Sequence, residues 1–152
     1  GFVPAYVNLA DLYRAQGRDT DGERVLRGAL AAAPNDAAAR HALGLLLVRA
    51  KRLPEATTEL ARAARLDPSS ARYAYVHAIA LDSTGKRDAA LRALEANHRR
   101  HPADRDTLAA LVSLNREVGA SENALRYARR LYRLTPDDPG VSQLIAALEA
   151  GR

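Results

Sequence analysis

A chain of 152 residues with 47% hydrophobic, 27% charged and 5% aromatic residues has the size and composition of one ordinary soluble domain. No run approaches the roughly 18 apolar residues that a membrane helix needs, so membrane insertion is not expected. Cys is absent, which excludes disulfides, thiol nucleophiles, thiolate zinc sites and c-type haem attachment, and 23 Lys and Arg against 18 Asp and Glu leave a net charge of +5.

Taken in chain order, apolar residues recur at helical spacing, as in Leu9, Leu12 and Tyr13 or Leu60, Ala63 and Ala64, and no segment alternates as a strand does. The pattern predicts helices over about 5–16, 19–32, 37–50, 53–66, 71–84, 87–100, 105–118 and 121–134. A ninth covers 139–150, with Pro139 in its first turn and Asp138 as its cap; Leu144, Ile145 and Leu148 give it an apolar stripe able to cover the end of a stack. Met is absent, and Gly1-Phe2-Val3-Pro4 has neither a charged n-region nor an apolar h-region. The chain therefore reads as a piece of a longer protein, with any targeting signal outside it. The excess of Arg over Lys (only Lys51 and Lys86) and the abundance of Ala fit a GC-rich bacterial source. Bacterial cytoplasm and periplasm both suit such a chain.

The helices fall into a repeat. Pro34, Pro68, Pro102 and Pro136 are each 34 residues apart, which divides the chain into units 3–36, 37–70, 71–104 and 105–138. Position 15 of the unit holds Gly17, Lys51, Gly85 and Gly119, suited to the left-handed residue that ends a helix. Position 34 holds Asp36, Ser70, Asp104 and Asp138, good N-caps for the next helix. Small residues at position 20 (Gly22, Ala56, Ala90, Ala124) allow helix backbones to approach, and position 24 (Leu26, Leu60, Leu94, Ala128) fills the seam. The prolines at position 32 stop each second helix.

This register resembles the tetratricopeptide repeat (TPR) pattern over residues 3–138, most fully in Leu43-Gly44, Leu47, Ala56, Leu60, Ala63 and Pro68. The resemblance implies an all-α fold, a right-handed superhelical solenoid of antiparallel helix pairs, forming one domain over 1–152. It also implies that first helices line a concave face through positions 2, 5, 9 and 12 of each unit. On this chain the expected groove residues are Val7, Asp11 and Arg14; His41, Leu45 and Val48; Arg72, Tyr75, Ile79 and Asp82; and Ser113 and Arg116. An apolar centre of His41, Leu45, Val48, Tyr75 and Ile79 with charged flanks has the anatomy of a protein interface. The competing expectation is that these side chains pack against one another, or against the next repeat, in a tight superhelix.

Chaperone-binding members grip a partner's C-terminal carboxylates with Lys, Asn and Arg at positions matched here by Val7, Asp11, Ala42, Arg72 and Val76. Only Arg72 approximates that set, and Asp11 would repel a carboxylate, so that activity is not expected. Residues 71–81, Ser83-Thr84-Gly85 and 99–106 are also similar to C-terminal TPR segments of bacterial multi-haem cytochrome c-type proteins. That likeness implies a docking module of an exported protein; without Cys-x-x-Cys-His, it carries over no haem residue.

Departures from the pattern carry their own expectations. Arg40, where a large apolar residue is usual, is expected to lay its methylenes on a neighbouring helix with its head in water. His77, where Leu is usual, is expected to be a core histidine bonded to a neighbour, and Asn115 to bond locally or stay partly exposed. His98 and His101 lack a carboxylate or thiolate companion, so no metal is expected. No phosphate loop, paired carboxylates or nucleophile–base motif is present, and no enzymatic activity, cofactor or small-molecule substrate is expected.

The units carry net charges of −1, +3, +2 and +1, and the excess lies largely on second helices, through Arg62, Arg65, Arg92, Arg99, Arg100, Arg126, Arg129, Arg130 and Arg133. The function expected is a scaffold that binds a peptide or protein segment in its groove. A structural or self-associating module of a larger exported enzyme or electron-transfer protein is the alternative, and nucleic-acid binding by the Arg-rich convex face a lesser one.

Overall fold

The computed structural model describes residues 3–151, with side chains from Pro4 onward. Gly1, Phe2 and Arg152, counted above in the single domain, lie outside the described residues. Among the described residues all regular structure is helical: α1 (Val3–Ala15), α2 (Asp19–Ala32), α3 (Ala37–Arg49), α4 (Leu53–Leu66), α5 (Ala71–Ser83), α6 (Arg87–Arg100), α7 (Arg105–Glu117), α8 (Ser121–Leu134) and α9 (Pro139–Ala150). The second helices and α9 have the expected bounds. The first helices end one residue early, and α1 starts at Val3 because Pro4 is tolerated in a first turn, where its missing N–H has no partner to lose.

The punctuation works as the residue types require. Gly17, Gly85 and Gly119 have φ of +72°, +77° and +75°, and Lys51 takes the same left-handed turn at φ +59°. A side chain there costs about 1 kcal/mol relative to glycine. Asp36 Oδ1 accepts from Ala39 N at 2.7 Å, Ser70 Oγ from Tyr73 N at 3.3 Å, Asp104 Oδ2 from Thr107 N at 2.9 Å and Asp138 Oδ1 from Gly140 N at 2.9 Å. Each such cap is worth about 1 kcal/mol.

The helices form two compact units, α1–α5 ending at Lys86 and α6–α9 beginning at Arg87. In the first, Ala10, Leu26, Leu43, Leu46, Leu47 and Ala56 make a buried cluster, with Val7, Leu30, Ala42 and Val48 packed against it. Close approach depends on Gly44 of α3: a Cβ there would sit 2.6 Å from Leu60 Cγ and Cδ2 of α4. In the second, Leu94, Leu108, Leu111 and Leu125 are fully buried, and α9 packs on α8 with Val141 buried and Leu144, Ile145 and Leu148 half-buried.

Three of the departures resolve in these units. The Arg40 head is not in water. Its side chain is only 14% exposed; Nη1 donates to Glu59 Oε2 at 2.5 Å and Nε to Pro34 O at 2.8 Å, tying α3 to α4 and to the loop before α3. A guanidinium this enclosed needs fixed acceptors, and Glu59 and the open carbonyl of the preceding turn supply them. His77 is half-buried rather than a core residue, and burial, helped by Arg65, lowers its pKa. Asn115 is buried and bonds locally, Nδ2 donating to Leu111 O one turn back at 2.7 Å.

Candidate functional site

In the first unit, α1, α3 and α5 are the first helices of successive helix pairs. Between them opens a cavity of about 310 Å³. Six of the expected groove residues line it: Val7, Asp11 and Arg14 from α1, His41 and Leu45 from α3, and Arg72 from α5. Sharing one wall follows from the period, because each residue occupies position 2, 5, 9 or 12 of its repeat. The apolar wall is Val7, Leu45, Leu46 and the small Ala10, Ala38 and Ala42, whose short side chains leave the space.

The other expected residues lie elsewhere. Val48 packs against the core cluster. Tyr75 and Asp82 are half-buried on α5, and Ile79 of the same helix is 37% exposed. Ser113 and Arg116 are exposed on α7 of the second unit, where Ser113 Oγ donates to Glu117 Oε1 at 3.4 Å. The aromatic ring in the cavity is that of Tyr73, two residues before Tyr75. Sequence reasoning missed Tyr73 because it followed one set of positions per helix. Position 3 of a repeat meets position 5 of the repeat before it, and that offset was the available signal.

His41 anchors the cavity floor. It is 7% exposed and lies against Tyr73, with ring centroids 4.5 Å apart and planes at 32°. Neither ring nitrogen finds a hydrogen-bond partner among the described residues, and both are sealed from solvent. Burial first, and the Arg72 charge second, pull its pKa from 6.5 down to about 4, so the ring is neutral at physiological pH. The charges that matter are therefore the guanidiniums and Asp11. Arg14 pairs with Asp11 at 3.3 Å, and Arg49, also on the cavity wall, reaches Asp19 at 3.2 Å. Arg72 is exposed and forms no ion pair among the described residues.

Four of the nine arginines named on the second helices have partners among the described residues, two of them carboxylates. Arg62 pairs with Glu59 at 2.9 Å and Arg129 with Glu149 at 2.6 Å. Arg130 Nη1 lies 2.6 Å from Nε2 of the buried His98, whose pKa is lowered by burial, Arg130 and Arg126. The Arg126 guanidinium sits 5.1 Å from the Tyr127 ring centre. Such commitments leave fewer charges to neutralise phosphates than the sequence count suggests. No group of three or more His, Cys, Asp or Glu able to hold a metal occurs among the described residues, and no helix among them is long and apolar enough to cross a membrane.

Repeated helix pairs with capped turns define a helical repeat protein. Its family follows from comparison: the tetratricopeptide repeat model matches residues 7–71 and 75–139, and the chain belongs to that family. Solved structures share the fold. "Crystal structure of MamA protein" is 21% identical, with a TM-score of 0.84 over 97% of this chain and 81% of that one. A structure of Pseudomonas aeruginosa pilF is 22% identical, with a TM-score of 0.80 over 95% of this chain and 66% of that one. YrrB, described as a TPR protein with an unusual peptide-binding site, is 17% identical, with a TM-score of 0.78 over 99% and 77%. Comparison with curated proteins gives no match.

Proposed function

We propose that this chain is a non-enzymatic scaffold that binds a peptide or protein segment along its first helices. The cavity residues Val7, Asp11, Arg14, His41, Leu45 and Arg72 make the central contacts. Tyr75, Ile79 and Asp82 extend the surface along the first unit, while Val48 backs it from the core and Ser113 and Arg116 belong to α7 of the second unit. The observation that carries this reading is the cavity itself: three helices converge on an open, largely apolar space with charged groups at its rim. The family's use as interaction modules and the peptide site named for YrrB support the same reading.

Selection of peptides from an unbiased displayed library tests it, with each selected peptide measured against wild type and Leu45→Asp. A charged side chain on the apolar wall should weaken binding at least tenfold. Peptides that bind both proteins equally would place recognition outside the cavity. Docking within an exported electron-transfer protein, suggested by the stretch 71–106, is a narrower version of this scaffold role. That version requires haem-binding Cys-x-x-Cys-His motifs, which would lie outside these 152 residues, and sequencing the gene from which the chain comes tests it.

A further inference from the structure

We infer that the cavity between α1, α3 and α5 selects an acidic–apolar segment of a partner protein: one aliphatic side chain flanked by internal carboxylates. This deepens the proposed function and rests on it. The cavity is about 310 Å³, at the lower end of the roughly 300–1,000 Å³ typical of ligand pockets, so it admits one aliphatic side chain with its backbone rather than a large ring system. Val7, Ala42 and Leu45 provide the apolar lining for that side chain.

Charge fixes the flanks. Three arginines and one aspartate line the cavity, and His41 adds no charge at neutral pH. Asp11 and Arg14 largely cancel, and both are more than half exposed, so their pair is weak and easily exchanged. Arg49 already has Asp19. Among the described residues Arg72 is the cavity cation without an acid, at the mouth of the cavity and close enough to His41 to depress its protonation. A carboxylate next to the inserted aliphatic residue completes that charge, accepting two parallel N–H bonds from the guanidinium. The second unit offers a contrast within the same molecule. A recess beside α7 in that unit is lined by Asp104, Asp106 and Asp138 with Arg105, the opposite balance.

The test uses three heptapeptides, acetylated and amidated so that no terminal carboxylate is present, with the cores Glu-Leu-Glu, Gln-Leu-Gln and Lys-Leu-Lys. Each is titrated into the full chain while backbone and methyl NMR signals are followed. The Glu core should bind about threefold to tenfold more tightly than the Gln core, as expected of one or two partly exposed ion pairs, and the Lys core most weakly. The preference should shrink as salt rises from 0.05 to about 0.5 M. Arg72→Gln should bring the Glu and Gln cores to equal affinity without altering the fold seen in the spectrum. Equal binding of Glu and Gln cores to wild type, preference for Lys, or no binding of the Glu core at millimolar concentration would each overturn the inference. If library-selected peptides bind at Leu45 yet are uncharged or basic, this inference falls while the groove reading stands.

Discussion

Replacing His41 by Phe should stabilise the protein, and more so in acid. The structure seals both imidazole nitrogens without partners among the described residues. A buried polar group left unsatisfied costs about 1–3 kcal/mol, and Phe keeps the ring against Tyr73 while removing those atoms. Some of the gain is spent on fitting a larger ring, which leaves about 1 kcal/mol at pH 7. Lowering the pH adds a second contribution. The folded pKa of about 4 lies below the ordinary 6.5, so between these values the unfolded chain holds more protons than the folded one. Stability from this group is complete above about pH 6.5 and is lost as pH falls toward 4. The gap corresponds to at most about 3 kcal/mol, and solvent screening of the exposed Arg72 charge that contributes to it reduces that to about 2. Urea unfolding of wild type and His41→Phe at intervals from pH 7.5 to 4 measures both effects, because the difference between the curves cancels His77 and His98. The difference should grow from about 1 to about 3 kcal/mol. A constant difference, or a His41 ring that titrates near 6.5 by NMR, would refute the reasoning.

Three other substitutions test the packing. Lys51→Gly should raise stability by about 0.5–1 kcal/mol in denaturant unfolding, because the left-handed φ of +59° suits glycine. Gly44→Ala should lower it by about 1–3 kcal/mol, since the added Cβ would meet Leu60 at 2.6 Å. Glu59→Gln should cost about 2 kcal/mol by leaving the enclosed Arg40 charge uncompensated. The double change Arg40→Met with Glu59→Gln should recover most of that loss in the same assay.

How much was legible in the sequence varied with the kind of interaction. Helix bounds were legible because glycine, proline and cap residues act locally: Asp36 caps α3 whatever lies opposite it. First-helix positions 2, 5, 9 and 12 were enough to gather Val7, Asp11, Arg14, His41, Leu45 and Arg72 on one cavity, since the repeat carries its geometry with it. What depends on partners from another helix was not legible. The Arg40–Glu59 pair joins residues nineteen apart that no period relates. Tyr73 rather than Tyr75 reaches His41 because adjacent repeats are offset, and net charge per unit could not show which arginines were already paired. The solved structures extend the fold and do not bear on the similarity of residues 71–81, 83–85 and 99–106 to multi-haem segments.

The most direct test of the central claim is a site-resolved NMR map of the chain with a peptide taken from an unbiased library. The account predicts the largest shifts at Val7, Leu45 and Arg72, with loss of those shifts in Leu45→Asp. Shifts confined to the arginines of α6 and α8, with Val7 and Leu45 unmoved, would contradict it.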